Sequence, residues 1–213
     1  LELRGFRSHI GSQIFGTESF QLAADRLIAL LAKYRDTYSN ELPELDLGGG
    51  YGIAYLPEDE TLEPGEVMPA LRSAVTAACD KHKLNIPTIS IEPGRAIVGP
   101  TTFTLYEVGT TKDVVLEDGA TRRYISVDGG MSDNIRPSLY GAQYHAVIAQ
   151  RISTAKSISS RVVGKHCETG DIVIRDISLP ADIAPGDLIA IPATGAYGRS
   201  MASNYNHVPR PPV

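Results

Sequence analysis

Apolar residues recur along the first hundred positions with two different periods, and the alternation between them predicts strands interleaved with helices. Leu3 to Ser8 reads as a strand that ends at His9. Beyond Thr17, a residue able to cap a helix, Phe20, Ala24, Leu27, Leu31 and Tyr34 follow at spacings of three and four, so one face of this helix packs on a sheet. Leu45 to Leu47 is a short second strand running into Gly48-Gly49-Gly50. A loop rich in proline and acidic residues leads to a second amphipathic helix through Val67, Leu71, Val75 and Ala78, with Cys79 in the same apolar pattern and expected in the core. Thr88 to Ile91 is the third strand, and Glu92-Pro93-Gly94-Arg95 makes a rigid turn at its end. Such alternation favours a parallel sheet with crossover helices. Three strands that each end in a polar or glycine motif amount to about three-eighths of a (β/α)8 TIM barrel, a fold whose chemistry gathers at the C-terminal ends of its strands.

After Pro100 the texture changes to β-branched runs divided by Gly, Asp and Pro turns: Thr102 to Val108, Tyr124 to Val127, Ser160 to Val163, Asp171 to Ile177 and Asp187 to Ile191. The expected fold class is therefore α/β plus β, with the last strands of a barrel over residues 1–100 and a β-barrel or sandwich domain over residues 101–213. Gln143 to Gln150 reads as one short helix interrupting the β domain. Pro209-Arg210-Pro211-Pro212 reads as a terminal loop, and neither internal repeats nor low-complexity tracts occur.

Composition narrows the partners. At 213 residues, 42% of them hydrophobic, the chain can bury a substantial core. Its net charge of -5, without clustered Lys or Arg, argues against nucleic acid and anionic membranes and suits a small metabolite. No stretch approaches the roughly 20 apolar residues that span a bilayer, and Leu1 to Arg7 lacks a signal-peptide layout, so a cytoplasmic protein is expected. Two cysteines, Cys79 and Cys167, exclude a disulfide framework or a Cys-rich zinc site. The opening Leu-Glu-Leu-Arg-Gly-Phe, without Met and already strand-like, reads as a start inside a domain.

The candidate chemistry sits at the strand ends. Gly48-Gly49-Gly50 and Gly52 let backbone amides approach an anion, although a tight turn explains such a cluster equally well. Glu92 and Arg95, held three residues apart, pair a carboxylate able to keep a pyridine nitrogen protonated with a fork for phosphate or carboxylate; a local surface ion pair is the alternative. His9 with Gly11, Ser12 and Gln13 offers an imidazole for a flat ring and a hydroxyl for a phosphate. In the β domain, Asp128-Gly129-Gly130-Met131 precedes Arg136 and Tyr140, which could jointly hold a carboxylate, and a glycine turn with a solvated Arg fits the same residues. Cys167-Glu168 offers a proton donor and a carboxylate for an ammonium, against the alternative of a partly buried Cys beside an exposed Glu. Gly195-Ala196-Tyr197 places a phenol in a small-residue turn. No spacing suits a metal site, and no Ser/His/Asp set can be assembled.

Taken in order, His9-Ile10-Gly11-Ser12-Gln13, Leu45-Asp46-Leu47-Gly48-Gly49-Gly50, Glu92-Pro93-Gly94-Arg95, Val127 to Met131, Asn134 to Tyr140, Lys165-His166-Cys167-Glu168, Gly195-Ala196-Tyr197 and Met201 to Asn206 closely resemble the diaminopimelate decarboxylases, over essentially the whole chain. The resemblance implies a pyridoxal 5'-phosphate (PLP) enzyme with an alanine-racemase-like barrel, converting meso-2,6-diaminopimelate to L-lysine and carbon dioxide in the last step of lysine biosynthesis. It implies that His9 stacks on the cofactor ring, that Ser12, Gly49, Gly50 and Tyr197 bind its phosphate, and that Glu92 faces the pyridine nitrogen. Arg95, on the Pro93-Gly94 turn, is expected to contact phosphate or substrate, with Tyr197 also near the substrate. Arg136 and Tyr140 recognise the distal carboxylate, while Cys167 as proton donor and Glu168 as ammonium contact reach in from the second subunit of a homodimer.

One departure stands out. The family's cofactor-anchoring lysine lies in a Tyr-Ala-x-Lys-Ala-type motif, and none of Lys33, Lys81, Lys83, Lys112, Lys156 or Lys165 has that context. The expectation is a fragment inactive by itself. A sister decarboxylase acting on arginine, ornithine or carboxynorspermidine, and a non-catalytic homologue, are the competing readings.

Overall fold

The computed structural model describes residues 2–213; Leu1, the first residue of the strand-like opening, lies outside them. The chain divides into two compact units, one of residues 1–53 and 60–97, the other of residues 54–59 and 98–213.

In the first unit, β1 (Gly5–Arg7), β2 (Glu44–Asp46) and β3 (Thr88–Ser90) form a parallel sheet in that order. The register aligns Phe6, Leu45 and Ile89, and all three pack into one apolar cluster with the helices. Side chains alternate across a strand, so the residues flanking them, Arg7, Glu44, Asp46 and Ser90, share the opposite and polar face. Helices α1 (Glu18–Tyr38) and α2 (Pro64–His82) supply the crossovers. Their buried faces carry the expected positions: Phe20, Ala24, Leu27 and Leu31 on α1, and Val67, Leu71, Val75, Ala78 and Cys79 on α2. Phe20 stacks on Tyr51, the rings 4.5 Å apart. Each helix ends on a left-handed residue, Ser39 or Lys83, and Arg35 of α1 donates to the carbonyls of His82 and Lys83, satisfying acceptors that the end of α2 leaves open.

Two local expectations need amendment. Thr17 occupies the N-cap of α1, but its backbone is helical and its hydroxyl accepts from the Gln21 side chain instead of capping a backbone N–H. The turn after β3 winds into a five-residue helix, α3 (Gly94–Val98), because Pro93 O accepts from Ile97 N.

The second unit is built on a six-stranded sheet. Its strands are β4 (Thr104–Val115), β5 (Thr121–Val127), β6 (Val147–Ile148), β7 (Ser157–Val163), β8 (Ile172–Pro180) and β9 (Leu188–Ile191), in the order β6-β9-β4-β5-β7-β8. Only the β5–β7 pairing is parallel. Strand β4 outruns its expected end at Val108: a register shift between Val108 and Thr111 lets it continue as a hairpin with β5.

The helix expected over Gln143 to Gln150 does not form. Val147 and Ile148 pair with Ala190 and Ile189, Ala149 N donates to Leu188 O at 2.7 Å, and the Gln150 side chain bonds both Asp187 and Leu188 N. Sheet partners absent from a sequence window outweigh a local helical pattern. The short helix of this region is α4 (Arg136–Tyr140), closed by Gly141 in the left-handed region. No helix of the described residues is long and apolar enough to cross a membrane, and none of them form a cluster of three or more metal-ligating side chains.

Candidate active site

Each parallel strand passes at its C-terminal end into one of the singled-out motifs, and backbone hydrogen bonds hold the three segments side by side. Ser8 N donates to Asp46 O at 3.0 Å, Leu47 N to Ser90 O at 3.0 Å, Glu92 N to Gly48 O at 2.9 Å and Ile14 N to Gly50 O at 2.9 Å. Gly48 and Gly50 have φ of 72° and 107°, and a Cβ on them would stand 2.1 Å from Ser8 O and 2.4 Å from Gly11 O. The glycine cluster therefore does more than turn the chain: it lets three backbones touch with no side chain between them.

The side chains on this rim are few and polar. Arg95 Nη2 donates to Ser12 Oγ at 2.8 Å, joining the first motif to the third. His9 is exposed, its Cα beside Gly48. Glu92 is gripped by Arg7, whose Nε donates at 2.8 Å while Nη2 donates to the second oxygen. The hydrogen bond from Arg7, and then its charge, hold the Glu92 carboxyl below the ordinary carboxylate range. Sequence reasoning missed Arg7, which nothing marks as a partner for a residue 85 positions away. A guanidinium, a hydroxyl and bare backbone suit an anion such as phosphate, and an ionised carboxylate suits a protonated ring nitrogen.

In the second unit, Arg136 is buried, with 6% of its surface exposed. Its guanidinium donates to the Tyr144 hydroxyl and lies 4.6 Å from the Tyr55 ring centroid, a cation–π contact. It is thus directed to Tyr144 and Tyr55, while Tyr140, 65% exposed, stands at the other end of α4. Neither aromatic partner was singled out from the sequence; Tyr144 follows Arg136 closely, but Tyr55 is too distant for any local signal.

Cys167 and Glu168 are exposed on the turn between β7 and β8. Beside them His166 is buried, its Nε2 2.9 Å from Ser132 Oγ and its ring edge-on to Tyr205, whose hydroxyl donates to Glu168. Tyr197 is half-exposed with φ of 58° on the turn after β9, a turn anchored by Thr194 N to Thr102 O at 3.0 Å.

Residues 1–99 match the pyridoxal binding domain of pyridoxal-dependent decarboxylases, and residues 70–195 match their C-terminal sheet domain. The chain belongs to the pyridoxal-dependent decarboxylases. It is 52% identical over its whole length to a diaminopimelate decarboxylase of Corynebacterium efficiens, covering 46% of that protein, and 51% identical to one of Mycobacterium tuberculosis, covering 48%. Among solved structures, the diaminopimelate decarboxylase of Helicobacter pylori complexed with L-lysine superposes with a TM-score of 0.79 at 34% identity, over 95% of this chain and 46% of that one. The enzyme of M. jannaschii in complex with L-lysine gives 0.85 at 28% identity, over 95% and 44%. The chain thus spans about half the length of these relatives.

The cofactor of this family is pyridoxal phosphate. The rim fits it in one respect: the Ser12–Arg95 pair stands where an anion has both a hydroxyl and a cation to meet.

Proposed function

We propose that the protein carrying this sequence decarboxylates meso-2,6-diaminopimelate to L-lysine and carbon dioxide, the closing step of lysine biosynthesis, in the cytoplasm and as a homodimer. The observation that carries this reading is the Ser12–Arg95 hydrogen bond at the glycine rim, beside the ionised Glu92. In this reading residues 1–100 are cofactor-binding barrel and residues 101–213 the sheet domain.

Bound pyridoxal phosphate supplies an electron sink for the charge left when carbon dioxide departs. Ser12, the backbone at Gly49 and Gly50, and Arg95 hold its phosphate. His9 covers a ring face, and Pro93 and Gly94 set the turn on which Glu92 and Arg95 stand. Glu92 meets the ring nitrogen, and its low pKa keeps it anionic and able to stabilise a proton there. Arg136 and Tyr140 recognise the distal carboxylate, which separates this substrate from ornithine or lysine, and the Arg136 guanidinium turns from Tyr144 and Tyr55 to do so. The Cys167 thiol delivers a proton to the substrate carbon, and Glu168 receives an ammonium group, both serving the partner subunit's site.

Because the chain covers about half of its relatives, the test uses the full-length protein. Purified with pyridoxal phosphate, it is expected to release carbon dioxide and L-lysine from meso-diaminopimelate, and far more slowly from ornithine, arginine or carboxynorspermidine. A preference for one of those amines would replace the substrate assignment, and cofactor uptake without turnover of any of them would make the protein a non-catalytic homologue.

A further inference from the structure

The turn bearing Cys167 and Glu168 has no ladder of its own, so something else must hold it. Asp171 does so from beneath. Only 3% exposed, it accepts from Met131 N at 2.6 Å through Oδ1 and from His166 N at 2.7 Å through Oδ2. Its own N–H donates to Glu168 O at 3.1 Å, and its carbonyl accepts from Gly164 N at 2.9 Å. Two glycines make room for the carboxylate: a Cβ on Gly130 would stand 2.4 Å from Oδ1, and one on Gly164 would stand 2.3 Å from both oxygens. Lys165 N, donating to Gly129 O at 2.9 Å, and the His166–Ser132 contact join the same two turns on either side.

We infer that Asp171 is a positioning residue: its carboxylate latches the Cys167–Glu168 turn to the Gly129–Met131 turn and thereby sets where the thiol and the Glu168 carboxylate stand. The inference rests on the proposed roles of Cys167 and Glu168. Its physical basis is that two N–H groups outside any ladder, His166 buried and Met131 partly so, need acceptors, and a single carboxylate serves both in a fixed geometry. Asparagine keeps the volume but turns one acceptor into a donor facing an N–H, which opens one side of the latch.

The test compares the full-length protein with its D171N and C167A variants, reading kcat, KM, cofactor content and the rate at which iodoacetamide alkylates Cys167. D171N is expected to bind cofactor normally, while kcat falls by about tenfold or more, the scale set by displacing a reacting group by less than an ångström, and KM rises as the Glu168 carboxylate shifts with the turn. Alkylation of Cys167 should accelerate by at least about threefold as the turn loosens. Wild-type kcat and alkylation with only a lower melting temperature would overturn the latch. Full activity in C167A would instead sink the proton-donor reading, and the alkylation rate would still decide the latch. Should D171N fail to fold, hydrogen exchange in the unmutated protein decides: the Met131 and His166 amides should exchange at least about a hundredfold more slowly than those of Cys167 and Glu168, and equal rates would refute the inference.

Discussion

The two units handle polar groups in opposite ways. Every polar or charged residue classed as buried among the described residues, from Ser132, Asp133 and Asn134 to Arg136, His166, Asp171 and Asp187, lies in the sheet unit. The α/β unit keeps its core apolar but for the buried Tyr51 hydroxyl and displays its polar side chains on an exposed rim shaped by backbone contacts. Helices and parallel strands satisfy most of their own N–H and C=O groups, so that unit calls on partly buried side-chain acceptors only at its strand ends, Asp46 for Gly48 N and Gln13 for Ile53 N. The long irregular turns of the sheet unit do not, and carboxylates do the work instead: Asp133 accepts from Gly130 N, Asp171 from Met131 and His166 N, and Asp187 from Ala184 N and Arg151. A site can thus be positioned by what its backbone lacks or by what its core conceals.

The largest expected effect would break the rim side of that contrast. Gly50→Val puts a branched side chain at a left-handed φ and against Gly11 O, and should cost about 3 kcal/mol or more in a urea titration and abolish cofactor uptake. A variant that binds cofactor normally would mean that backbone contact does not build the rim. Next comes Tyr106→Phe. The Tyr106 hydroxyl is buried without a partner among neighbouring carboxylates, so removing it should stabilise the sheet unit by about 1 kcal/mol, measured as a higher denaturation midpoint. A loss of stability there would show that the hydroxyl is satisfied.

Two smaller effects concern pH. The hydrogen bond from Arg151 lowers the Asp187 pKa, so their pairing stabilises the fold above the ordinary Asp value of roughly 3.9 and is lost as pH falls through the lowered value. Arg151→Met should therefore make the sheet unit unfold at a higher pH during acid titration followed by circular dichroism. Arg7→Met, the exposed counterpart, should return the Glu92 titration, followed by carboxyl NMR shifts, toward the ordinary Glu value of roughly 4.3 with little change in thermal stability. Equal stability losses from the two substitutions would erase the distinction between rim and core.

Much of this was legible in the linear pattern. Phe20, Leu27, Leu31, Val67, Leu71 and Val75 marked the buried helix faces through spacing alone, and three strand ends with their motifs followed in order, because periodic burial is a local property of each element. Chemistry-bearing residues at those ends, from His9 and Ser12 to Glu92 and Arg95, were likewise visible as motifs. Tertiary structure decided what no window contains. It placed a strand where Val147 and Ile148 looked helical, since Leu188–Ile191 offered a partner. It turned Arg136 toward Tyr55 and Tyr144, gave Glu92 the guanidinium of Arg7, and set Asp171 beneath the Cys167 turn. Side-chain type and period are written along the chain, whereas the partner that satisfies a buried or charged group is chosen by contacts between segments far apart in it.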